Sequence, residues 1–122
     1  KIISRYTDGV EIIEKNLVGV LFTRKEKGKW IWYKNGVEDE GGKYEGEIEH
    51  DRPNGKGTLI YRNGTRYVGE YTNGVWNGMG SFYFPDGEKW VGEFREDAPW
   101  NINWFDRDGN IIAKWGNGVK LK

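Results

Sequence analysis

Tyr44-Glu45-Gly46-Glu47-Ile48 returns as Tyr67-Val68-Gly69-Glu70-Tyr71 and again as Trp90-Val91-Gly92-Glu93-Phe94, each step 23 residues. Other marks keep the same phase. Gly41, Gly64 and Gly87 stand 23 apart, Gly55-Lys56-Gly57 returns as Gly78-Met79-Gly80, and Tyr61-Arg62-Asn63-Gly64 returns as Phe84-Pro85-Asp86-Gly87. A fixed period in the range of about 20 to 50 residues marks a repeat architecture in which each unit is one supersecondary element. Each unit runs from an alternating aromatic/polar stretch through a glycine-bearing loop to a second stretch of Thr, Leu, Ile, Phe and Tyr, then Asn-Gly or Asp-Gly. That order reads as a β-hairpin. Asn63-Gly64, Asp86-Gly87 and Asp108-Gly109 supply the positive φ that tight reversals demand. The repeat therefore predicts an all-β fold, an antiparallel meander of β-hairpin repeats forming an elongated, twisted open sheet.

Side chains two apart along a strand share a face. Tyr44, Gly46 and Ile48 fall together, as do Tyr67, Gly69 and Tyr71, and Trp90, Gly92 and Phe94, while Lys43/Glu47, Arg66/Glu70 and Lys89/Glu93 fall on the other side. One face is aromatic and the other ionic. Composition agrees: 122 residues hold seven Trp, seven Tyr, five Phe and 19 Gly, so large rings supply the burial and glycine opens the turns. Lys+Arg 19 balance Asp+Glu 19, which argues against a generic polyanion binder. With no cysteine there is no disulfide, thiolate zinc site or Cys nucleophile, and the compartment stays open. No apolar run approaches the roughly 18 residues of a membrane-spanning helix.

The repeated unit resembles the MORN repeat (membrane occupation and recognition nexus), whose pattern is Tyr-x-Gly-x-aromatic followed by Gly-x-Gly. Copies at 41–63 and 64–86 carry nearly every mark. A third, 87 to about 108, keeps Trp90, Gly92, Glu93 and Phe94 but is read with Asn101 and Asn103 in place of the glycine pair, as an atypical terminal repeat closed by a strand from Ile102 to Phe105. Gly28 to Gly36 and Asn103 to Asn110 resemble a shorter variant of the repeat. Upstream, Ile2 to Tyr6, Val10 to Ile13 and Val18 to Phe22 read as strands prepended to the same meander, with a short helix at Glu11 to Asn16 as the competing reading. The organisation expected is N-terminal strands over 1–40, repeats over 41–110, and a capping strand and tail over 111–122, with Glu38 to Gly42 as the joining loop.

The inventory for catalysis is thin. His50 is the single histidine, placed in an inter-strand loop, and general acid/base work would need positioned partners. Ser4 and Ser81 lack a nucleophile-elbow setting. Glu47, Glu70 and Glu93 could suggest a glycosidase pair, but their recurrence assigns each the same task within its repeat. Asp106 to Asn110 resembles a calcium loop, yet Asn117 stands where the closing Glu belongs. No catalytic residue, metal site or cofactor is expected.

The surface remains. The expectation is a non-catalytic scaffold that binds a protein partner through an aromatic groove, with Trp76 and Trp100, placed in loops, as the leading contacts and Tyr44, Tyr67, Tyr71, Trp90 and Phe94 along the groove. Open sheet edges make self-association a second route. The alternatives are a carbohydrate- or phospholipid-headgroup-binding module using Trp platforms, or the accessory segment of a larger enzyme. Membrane lipid is disfavoured by the acids crowded between Glu38 and Asp51, and nucleic acid by the absence of a net positive field.

Overall fold

A computed structural model describes residues 2–7, 10–15, 17–35 and 41–121, and every regular element among them is a β-strand. In chain order these are β1 (Ile2–Thr7), β2 (Val10–Lys15), β3 (Leu17–Glu26), β4 (Lys29–Tyr33), β5 (Gly42–Glu49), β6 (Arg52–Tyr61), β7 (Arg66–Thr72), β8 (Val75–Tyr83), β9 (Lys89–Arg95), β10 (Ala98–Phe105), β11 (Ile111–Gly116) and β12 (Val119–Lys120). Ten of them form one open antiparallel sheet in the order β12-β11-β10-β9-β8-β7-β6-β5-β3-β4, while β1 and β2 pair with each other in a sheet of two strands. From β5 onward the meander is sequential. The expected joining loop at Glu38 to Gly42 lies largely outside the described residues, Gly42 being the first residue of β5.

Val10 to Lys15 is a strand, as read, and the competing helix does not form. The topology of the N-terminal part needs correction, for β1–β2 is a separate hairpin rather than the start of the meander. Strands β3 and β4 also exchange places, so that β4 takes the edge. Strand β3 is ten residues long and serves two neighbours: Leu17 to Thr23 pair with β5, and Phe22 to Glu26 pair with β4. The five residues of β4 could not cover the eight of β5. Burial agrees, since Leu21 and Thr23 in β3 are nearly inaccessible whereas Trp30 in β4 remains half exposed.

Two kinds of turn alternate. Lys27-Gly28, His50-Asp51, Asn73-Gly74, Glu96-Asp97 and Asn117-Gly118 are two-residue tips with both φ values positive, the mirror-image turns whose twist suits a hairpin. The opposite ends are wider: Gly64 N–H donates to the Tyr61 carbonyl at 3.0 Å, and Gly87 and Gly109 repeat the bond to Phe84 and Asp106. There the Asx residue adds no positive φ and only the glycine is left-handed. The expected glycine-bearing loops are thus strands. Trp76 lies in β8 and Trp100 in β10, because reversal at the tight tips is completed two residues before Trp76 and three before Trp100.

Beyond the tight tips of the repeats the ladder bulges. Gly46 pairs with Gly57 and Ile48 with Pro53, so Glu47 faces three residues of β6; Glu70 faces Asn77 to Met79 in the same way. Each glutamate repairs the interrupted ladder. Glu47 Oε1 accepts the Lys56 N–H at 2.7 Å and Glu70 Oε1 accepts the Met79 N–H at 2.7 Å. In the β9–β10 hairpin Gly92 pairs with Ile102 and only Trp100 bulges, so this unit is one residue shorter there. That corrects the placement of Asn101 and Asn103 at the glycine pair: the residue matching Gly57 and Gly80 is Ile102. Asn101 instead donates from Nδ2 to Glu93 Oε1 at 2.9 Å.

Gly57 and Gly80 lie beneath tyrosine rings. A Cβ on Gly57 would meet the Tyr44 hydroxyl at 2.2 Å, and one on Gly80 would meet that of Tyr67 at 2.4 Å. Each phenol lies against the glycine of the partner strand and donates to a carbonyl of its own strand, Tyr44 to Glu47 at 2.7 Å and Tyr67 to Glu70 at 3.1 Å. Trp90, with no hydroxyl to place, is matched by the bulkier Ile102.

The core is one-sided. Leu21, Tyr44, Leu59, Tyr67, Tyr71, Phe94 and Ile102 are buried, flanked by Trp32, Ile48, Tyr61, Trp76, Phe82, Trp90, Trp104 and Trp115. Edge-to-face contacts dominate, such as Tyr44 to Tyr71 at 5.0 Å and Tyr67 to Phe94 at 5.3 Å, and such pairs contribute about 0.5–1.5 kcal/mol each beyond area burial. Burial raises the ionisation of Tyr44, Tyr67 and Tyr71 above the ordinary phenol value of 10.0, and pushes Tyr61 up to about 12. A phenol harder to ionise when folded contributes stability below 10.0 that is lost as pH rises through its folded value. Alkaline unfolding is therefore expected between pH 10.0 and about 12. Tyrosinate absorbance should rise together with loss of near-ultraviolet circular dichroism, and ionisation at the ordinary value with the dichroism intact would contradict this core.

Candidate functional site

Strands lie about 4.8 Å apart, so flat pairing would set β4 about 14 Å from β6, with β3 and β5 between them. Yet the Trp30 ring on β4 stands 5.6 Å from the Tyr61 ring on β6. Trp32 reaches further, for a Cβ on Gly74, at the β7–β8 tip, would lie 2.9 Å from its Nε1. The sheet curls, and its N-terminal edge leans over the aromatic face.

Beneath this overhang is a groove of about 410 Å³. Trp30 and Trp32 form one wall, Tyr61 and Leu59 the floor, Trp76 and Phe82 the other wall, and Asp97 closes one end at the β9–β10 tip. Asp97 is fixed to β8 by two hydrogen bonds with Trp76. Its N–H donates to the Trp76 carbonyl at 3.0 Å, and its Oδ1 accepts the Trp76 N–H at 2.7 Å. Burial holds its carboxyl above the ordinary carboxylate value, opposed by that Trp76 hydrogen bond, and its charge contributes to the raised Tyr61 and Tyr67 phenols. A second depression adjoins the first, lined by Lys29, His50, Asp51 and Arg52 and sharing Trp30, Trp32 and Asp97.

The residues singled out from the sequence divide. Tyr44, Tyr67 and Phe94 are 0% exposed and Tyr71 is 3% exposed, so these four rings offer almost no surface and act as core. Trp90 is half-buried in a ladder with Phe82, Phe84, Trp104 and Trp115. Trp76 lines the groove and also stacks on Tyr67 at 4.6 Å. Trp100 is elsewhere, under the Arg95 guanidinium at 4.4 Å and against Gly118, in a depression of its own with Asn77 and Pro99. Sequence reasoning left Trp30, Trp32 and Asp97 outside its candidates. The alternation in Lys29-Trp30-Ile31-Trp32-Tyr33 was a legible signal for a ring-bearing strand face, but nothing local places that strand over β6.

Residues 44–66 and 67–89 match the family model of the MORN repeat. Two MORN repeats thus occupy the centre of the chain. Their limits run three residues later than the units counted from Gly41, and together they carry β5 to β8 with the start of β9. MORN repeats are generally modules that interact with proteins or lipids rather than catalyse. The groove draws Tyr61, Trp76 and Phe82 from the repeats, and Trp30, Trp32 and Asp97 from outside them. No curated protein matches the chain. Among the described residues, no group of three or more His, Asp or Glu side chains converges as metal ligands would.

Proposed function

We propose that this protein is a non-catalytic interaction module that docks a segment of a protein partner in the groove between Trp30, Trp32, Tyr61 and Trp76. The observation that carries the reading is the groove itself: amphipathic rings from three strands face a concave space with one carboxyl group at its end. Recognition surfaces favour Trp and Tyr as anchors because they bring large contact area with few rotamers to freeze. The two MORN repeats support the class of function. On this reading the β9–β10 hairpin is a third, shortened copy, the β3–β4 hairpin a divergent flanking unit that supplies the missing wall, and residues 111–122 a terminal cap. Trp76 keeps its place among the contacts, while Trp100 belongs to a separate surface.

Trp30 is 47% exposed, so Trp30→Ala should lower stability by only about 1 kcal/mol while removing a wall of the groove. Wild type and Trp30→Ala, immobilised as paired baits at equal folded fraction, should differ in the partner they retain from a lysate of the source cell. A partner held equally by both would refute the groove as its site. Concentration-dependent mass in light scattering, with no partner on either bait, would favour self-association through the open edges instead. Retention by lipid vesicles or by glycans, lost in Trp30→Ala, would support the headgroup or carbohydrate alternative.

A further inference from the structure

We propose that the segment docked in this groove presents a lysine or arginine side chain, its cationic head seated between the rings of Trp32, Tyr61 and Trp76 and directed at Asp97. The inference rests on the reading of the groove as a docking place and adds the chemistry of the occupant.

Three observations point to a cation. The lining of the groove holds one acid and no Lys or Arg. Asp97 forms no ion pair with a side chain of residues 17–35 or 41–121; one of its oxygens is engaged by the Trp76 N–H, and the residue lines the same groove as the rings. Asp97 is exposed at its tip, so a cation can reach it from solvent, and pairing there adds to the attraction of the rings for a positive charge. The charged neighbours leave this position open. Lys29 and Arg52 line the adjoining depression without pairing with Asp97, and Asp51 there is paired with Lys34 at 3.3 Å.

The chain itself displays the mode of recognition at the other end of the same aromatic face. Lys120 on β12 holds its ammonium 5.5 Å from the Trp104 ring and 5.8 Å from the Trp115 ring. Elsewhere Arg66 covers Tyr83 and Arg24 covers Tyr33, both at 4.3 Å, and Lys89 stands 5.4 Å from Phe105. At the groove, Lys25 stands 6.0 Å from Trp30, at the outer limit of such contacts and outside the lining. Among the side chains of residues 17–35 and 41–121, none of the cation–ring contacts falls on Trp32, Tyr61, Trp76 or Phe82. An overhung concave face admits a slender side chain on an extended backbone more readily than the plane of a bilayer, which favours a protein segment over a choline headgroup.

The test uses the whole chain, labelled with nitrogen-15, and follows the seven Trp indole N–H signals. The probes are acetyl-Leu-Arg-Leu-amide, its citrulline counterpart, which is isosteric and neutral, and phosphatidylcholine vesicles. The arginine peptide should shift the Trp30, Trp32 and Trp76 signals saturably, with affinity about tenfold above the citrulline peptide. Asp97→Asn keeps the acceptor for the Trp76 N–H and suits a positive φ. It should bring arginine binding down to the citrulline level and leave citrulline binding unchanged. Equal binding of the two peptides would overturn the cation inference while leaving the groove as a docking place. Shifts at these signals with vesicles alone would overturn the protein source, and no shift with either peptide at millimolar concentration would overturn the inference outright. Partner capture that ignores Trp30→Ala would separately remove the docking reading on which it rests.

Discussion

Gly69→Val should lower the melting temperature by on the order of 10 °C or prevent folding altogether. A Cβ at position 69 would lie 2.5 Å from the Gly80 Cα and 2.6 Å from the Met79 carbonyl oxygen, with the Tyr67 hydroxyl at 2.8 Å. Two of these three neighbours are backbone of the adjoining strand. They yield only if β8 moves away from β7, and that would pull the Met79 N–H from Glu70. Overpacking of this kind costs about 1–3 kcal/mol, and more when no side chain can rotate aside. In a domain of this size each kcal/mol is worth roughly 3–6 °C. Tyr71, which shares this face of the strand, is not among the three nearest neighbours. The comparison variant is Gly64→Ala. There a Cβ meets nothing within 4 Å, and only the φ of +91° resists, so the loss should be about 1 kcal/mol. Equal melting temperatures for Gly69→Val and wild type, measured by circular dichroism, would refute the close approach of β7 and β8.

Tyr67→Ala should be nearly as damaging. The ring is fully buried and touches Tyr71 at 5.3 Å, Trp76 at 4.6 Å and Phe94 at 5.3 Å. It joins the β7–β8 hairpin to β9. Truncating a large buried aromatic costs about 3–5 kcal/mol, a large share of what a small domain has in total. Tyr67→Phe keeps the ring and loses only the hydrogen bond to the Glu70 carbonyl at 3.1 Å, which costs about 1 kcal/mol. A denaturation series with both variants separates ring packing from the hydroxyl. If the alanine variant were as stable as the phenylalanine one, the aromatic ladder would not be the core.

The division between these positions and Trp30 marks the reach of the amino-acid sequence alone. The 23-residue phase was legible because every copy repeats the same local problem: a ring at Tyr44 or Tyr67 needs a glycine opposite it, and a bulge needs a carboxylate to cap its free N–H. The alternation of faces came directly from it, and with it the burial of Tyr44, Tyr67 and Phe94. Which end of each hairpin is tight was not legible, because Asn-Gly suits both kinds of turn while His50-Asp51 and Glu96-Asp97 carry no glycine at all. That single ambiguity moved Trp76 and Trp100 from loops into strands. The shortened third unit was hidden for a related reason, since only pairing reveals that Ile102 faces Gly92. The groove was least legible. It depends on the exchange of β3 and β4 and on the curl that carries Trp30 to Tyr61, both of which arise from contacts between distant segments.

Photo-crosslinking from inside the groove tests the central claim most directly. Replacing Trp30 with p-benzoylphenylalanine keeps a large ring at the mouth of the groove, and the same replacement at Met79, 59% exposed on the opposite face, provides the comparison. With the captured partner present, irradiation should join partner to protein from position 30 and leave position 79 uncoupled. Crosslinking from position 79 but not from position 30 would place the interaction on the ionic face and contradict the account.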